Sequence, residues 1–559
     1  MRQKTQQEDT MRQKILVFML ALAMIMSSVA CSAGVTESET APAVVEQTDG
    51  VVNIGANEIV VMDPHTGSAT VFTQCVPQCY EALVVLNVDG SIGPRLAKEW
   101  SYTEDGLEYT FYLRDDVTFH DGSKMTANDV VYSINRLLEM GQGFAYLMGD
   151  YIKNVEVVDE YTVKVNLNSP FGPFLMTMTR IYIVSEAMVS AHYDTSSTLY
   201  GEKGDYGETW LGYNDAGTGA YVLSELSPQE RCCFTKYDNY WQGWEGDEPT
   251  GVNFLLVTEA ATVRSMMANG QLDITDGFQS EESLNALDNI EGIDKTSVDQ
   301  GSQMYLQMNT KCPPLDDVHV RKAIAHLVDS ESLVAAISSA EPAYSLVSSA
   351  TVGHTGDVTQ YEFNIEKAKE ELALSKYADQ LGDMEIDLYW IDVVPDEQKV
   401  GLIIQAAAQQ AGLTINLKES AWLAFTDMVV SEETTPALSL SLNAPDYPEA
   451  GAILISRFHS STCGTWSQTE WLQDSFVDEK LDQAMVTMEA EDRIAIYEEV
   501  QKYLAEIVPS VAVYRNTSFL AYNSDRISWL TADMKEAGES VTIIPGSNYC
   551  AYDFISINN

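Results

Sequence analysis

Between Tyr109 and Arg114 apolar and polar positions alternate, with Tyr109, Phe111 and Leu113 on one side and Thr110, Tyr112 and Arg114 on the other. A period of two is a strand with one face in a core. Asp89-Gly90, Asp105-Gly106 and Asp121-Gly122 punctuate the surrounding stretch as turns, which predicts a β-meander. The period then lengthens. Thr126 is placed to cap a helix whose apolar stripe is Val130, Val131, Ile134, Leu137 and Leu138, and Gly141 stops it. Much later, Glu385–Val393 reads as a strand, Glu397–Ala411 as a helix stopped by Gly412, and Leu413–Lys418 as a strand. That βαβ unit predicts a parallel pair joined by a right-handed crossover. A helix over Asp492–Ile507, halted by Pro509, leads into a strand at Ser510–Tyr514. The pattern is mixed α/β.

The 559 residues are enough for two to four structural units at about 100–200 residues each. Hydrophobic residues at 45% and charged residues at 21% fit globular units rather than a disordered acidic tail. Against 32 Lys and Arg stand 83 Asp and Glu, a formal net charge of −51, which sets nucleic acid aside as a partner. The same charge suits either cationic ligands or a solubilising surface, and by itself argues no site. No apolar run is long enough for a multi-pass membrane protein.

The beginning of the chain reads as an export signal. Met1–Lys4 and Met11–Lys14 both spell MRQK, which makes Met11 a candidate true start. Arg12 and Lys14 precede the apolar run Ile15–Met26, and Ser27-Ser28-Val29-Ala30-Cys31 closes it with small residues. The closing segment resembles a bacterial lipobox, which would make Cys31 a lipidated N-terminus; Ser28 stands where that motif prefers Leu. Ordinary cleavage with a free Cys31 is the alternative. The expected layout is a signal peptide over 1–30 and a flexible, lipid-anchored linker over 31–50, which has no aromatic residue.

Eight cysteines become seven if Cys31 is lipidated, so at least one lacks an intramolecular partner. Cys75 and Cys79 suit free thiols or a local bridge better than a metal site, since zinc wants four ligands. Gly-x-Ser-x-Gly, His-Glu-x-x-His and the glycine-rich phosphate loops are all absent, which tilts the reading away from an enzyme. His65, His120 and His319 sit in turn-like contexts and are expected to be solvated.

One block is long and ordered. Tyr80-Glu81-Ala82-Leu83 and Asp89-Gly90 are followed by Pro94-Arg95-Leu96-Ala97 and Trp100. Asp105-Gly106-Leu107, Tyr109-Thr110-Phe111, Leu113-Arg114, Phe119-His120-Asp121-Gly122 and Thr126-Ala127 continue it. Further blocks are Gly217-Thr218-Gly219-Ala220-Tyr221, Tyr240-Trp241, Ala268-Asn269-Gly270-Gln271-Leu272-Asp273, Pro313-Pro314-Leu315-Asp316-Asp317 and Pro445-Asp446-Tyr447-Pro448-Glu449. Together they resemble the family 5 extracellular solute-binding proteins, the peptide- and nickel-binding receptors of ABC importers. The resemblance runs from about Val51 to the C-terminus and is weakest over 340–440.

It implies an α/β, periplasmic-binding-protein-like two-lobe clamp (type II, cluster C) with an extra domain inserted in the first lobe. Lobe I would comprise 51–80, 216–300 and 508–559, the extra domain 81–215, and lobe II 301–507. The implied function is capture of oligopeptides or dipeptides between the lobes and delivery to a membrane permease, without catalysis, cofactor or metal. The protein would be a monomer, lipid-anchored on the outer side of the bacterial cell membrane. A receptor for oligosaccharides or metal chelates is the alternative, and a secreted hydrolase a more distant one. Most matching residues are scaffold: Gly122 and Gly219 as turn formers, Trp100, Phe111 and Phe119 as core. In peptide-binding members the aspartate matching Asp446 pairs with the ligand's α-ammonium; a turn-forming aspartate between two prolines is the other reading. Asp446, Tyr447, Trp422 and Trp466 are the candidate ligand-binding residues.

Overall fold

The computed structural model describes residues 49–558 apart from 60, 68–71, 88–90, 278, 280, 393, 531 and 534–554. The signal peptide, Cys31, nearly all of the linker, the Asp89-Gly90 turn and Cys550 lie outside the described residues.

The expected meander is there. Ala97–Tyr102 and Glu108–Leu113 form a hairpin about Asp105-Gly106, and Thr162–Leu167 and Ile152–Asp159 extend it into a four-stranded antiparallel sheet. The helix Ala127–Met140 packs on it; the Asp129 carboxylate accepts the Thr126 backbone N–H at 2.9 Å, and Gly141 ends the helix at φ 62°. Val130, Ile134 and Leu137 are buried with Phe111 and Phe119, and Trp100 is partly buried against them. The same core continues into Leu454, Phe458, Leu481, Tyr497 and Leu504, so helices from the last quarter of the chain pack directly on this sheet's unit.

Two further sheets lie outside this unit. Val51–Ala56 pairs in parallel with Gly251–Leu256, and Arg231–Lys236 and Tyr221–Ser227 follow. The other sheet has six strands, ordered Ala340–Glu341, Ser510–Asn523, Ile293–Met308, Leu438–Asn443, Glu385–Ile391 and Thr414–Ser420. The βαβ unit falls within a residue or two of its expected place: the helix is Pro395–Ala411, Gly412 leaves it at φ 90°, and the flanking strands pair in parallel from Glu385 opposite Thr414. Ile274 bridges Ile54 and Tyr522 and so joins the two sheets.

The strand after Pro509 is nearly three times its expected length, because Ser510–Asn523 pairs with Ile293–Met308 along most of their run. The register breaks between Asp299 and Gln303, where Gly301 takes φ 70° and Arg515 clasps both Asp299 and Glu341.

Three sequence expectations need correcting. Gly219 is no turn former: it lacks a positive φ, and a Cβ there would come 2.5 Å from the Gln78 carbonyl oxygen, so close backbone approach demands the glycine. His65 is fully buried, not solvated. Arg136 Nη1 stands 3.0 Å from His65 Nδ1 while chelating Asp63 with both terminal nitrogens at 2.8 and 2.6 Å. A guanidinium only donates, so Nδ1 must accept; Nε2–H then donates to the Tyr182 carbonyl at 2.9 Å, and the ring is neutral. The His120 side chain is buried too, but protonated. Nδ1 faces Asp215 at 2.5 Å and Nε2 faces the Gly219 carbonyl at 3.0 Å; two acceptors require two donors, hence an imidazolium. Burial opposes that charge, but Asp215, the Gly219 carbonyl and Glu81 together outweigh it and raise the pKa.

Candidate functional site

The signature residues converge first on a fastening, not a pocket. Glu81, 4% exposed, accepts hydrogen bonds from Arg95 Nε at 2.7 Å, Tyr240 at 2.9 Å, Thr218 at 2.9 Å and Trp241 Nε1 at 3.0 Å. Arg114 lies over the Trp241 ring, 4.0 Å from its centroid. A buried carboxylate is tolerated only with this density of donors, so these residues serve stability rather than binding.

Asp446 is different. It follows the strand Leu438–Asn443 and stands in a segment held on both sides. Glu449 is chelated by Arg493 at 2.7 and 2.8 Å and takes the Tyr497 hydroxyl at 2.8 Å, while Pro445 rests near Gly301 at the break in the long strands. Arg180 donates from Nε at 3.0 Å and Nη2 at 2.9 Å to the Asp446 main-chain oxygen. The nearby Tyr146 hydroxyl favours the ionised form of the carboxylate. Burial raises its pKa, against the pull of Tyr146 and Arg180. A rigidly placed carboxylate of this kind suits a cation brought in from outside.

Tyr447 is 5% exposed, and burial, then the Glu449 charge, push its hydroxyl far up, so it backs the site rather than lining it. Trp422 and Trp466 meet edge to face, their centroids 5.3 Å apart, each more than a third exposed. They form a second group, on elements other than those that hold Asp446. Trp390 is buried, and Trp471 donates to the Thr435 hydroxyl at 2.7 Å. Beside the long strands lies a cavity of about 1050 Å³, counting its open part, lined among others by Lys295, Thr296, Ser297, Ser338, Ser339 and Thr517. The hydroxyls of Thr296 and Thr517 have no protein partner there. Lys295 is already engaged by Asp288 and Asn285, which leaves the lining without a free charge of its own.

Tyr146 and Arg180 were not singled out from sequence. Arg180 had a signal to offer: it is the one charged residue in the apolar run from Phe171 to Val184, and such a cation is either paired or functional. Cys75 and Cys79 are buried free thiols. Among the described residues no group of three or more His, Cys, Asp and Glu is placed to hold a metal ion, and no helix is long and apolar enough to cross a membrane.

The profile of the bacterial extracellular solute-binding proteins, family 5 (middle region), matches residues 91–464. The chain belongs to this family. The probable D,D-dipeptide-binding periplasmic protein DdpA of Escherichia coli is 25% identical over 456 residues, covering 80% of this chain and 84% of that protein. Heme-binding protein A of Haemophilus influenzae is 24% identical, with 79% and 82% covered. The fold is shared with the binding protein DppA of Helicobacter pylori, solved with the peptide STSA: TM-score 0.69, 19% identity, 91% of this chain and 98% of that one. The two-lobe clamp with an extra domain is thus the family's fold, as the sequence resemblance implied.

Proposed function

We propose that the protein is the receptor of an ABC importer for peptides with a free amino terminus, and that Asp446 holds the α-ammonium. The observation that carries this is a carboxylate in a segment fixed through Glu449, Arg493 and Arg180, raised in pKa by burial and with no protein cation in ion-pair contact with it among the described residues. The names of DdpA and of the peptide-bound DppA agree with it. The cavity beside the long strands, whose hydroxyl-rich lining has its one lysine already paired, then takes more of the ligand, and Trp422 and Trp466 bound its apolar parts. Closure turns the lobes about the strand break near Asp299–Gln303. Binding across the lobes favours the closed form, which docks on the permease. Ligand released by denaturation and weighed by mass spectrometry should form a ladder of peptides. Porphyrin, glycan or metal chelate released in stoichiometric amount refutes the peptide assignment.

The membrane anchor is part of the same proposal. Lipidated Cys31 and the linker after it would tether the receptor beside its permease; the two acyl chains of a diacylglyceryl group suffice for stable attachment. Cys31→Ser should move the protein from the membrane fraction to the medium. Wild type already free in the medium rules the anchor out.

A further inference from the structure

Among the described residues three arginines are fully buried: Arg136, Arg180 and Arg457. Arg136 is paired with Asp63 at 2.6 Å and Arg457 with Glu470 at 2.6 Å. Arg180 is 1% exposed, and no carboxylate of the described residues lies within ion-pair distance of it, in a chain that has 83 acidic residues. Its Nε and Nη2 share one acceptor, the Asp446 main-chain oxygen, and Nη1 is buried without any protein partner. The guanidinium lies over Phe144, 4.6 Å from the ring centroid, an arrangement that keeps the cation and supplies no counter-charge. A buried guanidinium with an unused donor is costly unless an anion arrives to take it.

Asp446 therefore faces both ways. Its carboxylate is offered to the ammonium of a ligand, and its main-chain oxygen to Arg180, so the two charge-binding groups are separated by the length of one residue. Building on the peptide reading above, we propose that Arg180 binds a carboxylate that the ligand carries next to its ammonium. The preferred ligands then begin with Asp or Glu, whose side-chain acid lies two or three bonds from the ammonium-bearing carbon, or with a γ-linked glutamate, whose free α-carboxylate sits on that carbon. The incoming carboxylate takes Nη1 and, in a two-pronged pair, Nη2. Nε stays on the Asp446 oxygen.

Isothermal titration of wild type with Glu-Ala-Ala, γ-Glu-Ala-Ala, Gln-Ala-Ala and Ala-Ala-Ala tests this without any variant. At least one of the two acidic peptides should bind about 10- to 100-fold more tightly than the Gln and Ala peptides, the range for a hydrogen bond between charged groups. Which of the two gains decides between a side-chain acid and a head-group acid. Arg180→Gln should bring all four to about the same affinity, and Arg180→Lys should keep part of the preference. A ligand-free melting curve like wild type's shows that each variant is folded. Equal binding of all four peptides by wild type overturns the role of Arg180 and leaves the peptide reading standing. Failure of all four to bind overturns both.

Discussion

Asp446→Asn is expected to weaken binding of free-amine peptides by about 30- to several-thousand-fold, equivalent to about 2–5 kcal/mol for removing one member of a desolvated charge pair. The substitution keeps shape and removes charge. In the empty protein the carboxylate meets only the Tyr146 hydroxyl and the more distant Arg180 charge, so the ligand-free melting temperature should barely change. N-acetylation of the peptide deletes the same pair from the other side. It should therefore cost wild type far more than the Asn variant, and that non-additivity separates a direct pair from two unrelated effects. Acetylated and free peptides that bind wild type equally would make Asp446 a turn residue.

Acid should unfold the protein through His65 before its surface carboxylates account for the loss. Burial, then the Arg136 charge, lower the pKa of this ring from 6.5 to about 4. A histidine with a lowered folded pKa contributes stability that is complete above its unfolded value and vanishes as pH falls through the folded one. The window is therefore about pH 6.5 down to 4, and the shift corresponds to roughly 3 kcal/mol. His120 works in reverse: its pKa is raised, so its contribution is complete below the unfolded value and is lost as pH rises through the folded one. His65→Gln keeps a donor for the Tyr182 carbonyl and cannot titrate. Denaturant unfolding of this variant should show a flatter acid limb than wild type between pH 6.5 and 4, and an unchanged slope would refute the assignment.

The local elements were legible because each was written in one stretch. Thr126 and Gly141 bracket a helix, Tyr109 to Leu113 alternate, and Gly412 ends the crossover helix, all within reach of neighbouring residues. What escaped was everything decided across the chain. Glu81 meets Thr218, Tyr240 and Trp241, well over a hundred positions away, and no local pattern marks such a network. Ser510–Asn523 runs past the expected strand because its later half is held by distant partners, chiefly Ile293–Met308. His65 and His120 read as turn residues, since burial by Arg136 and Asp215 cannot be seen from their neighbours. The candidate site divides in the same way. Asp446 was reached through the family motif, whereas Tyr146 and Arg180 come from a segment about 270 to 300 residues earlier that only the fold brings beside it.

The first described strand has a consequence for how the chain is made. Asn53 donates to the Asp273 carboxylate at 2.8 Å, Arg526 pairs with the same aspartate at 2.6 Å and donates to the Val51 carbonyl, and Trp529 and Ile555 share a core with Val52 and Ile54. This strand is thus sealed by residues as far as 475 positions later in the chain. Until they emerge, that lobe has no finished interior, and contacts of such long span form late because loop closure precedes any gain from them. A chain built this way stays threadable while it is being made, because this part of it cannot close early.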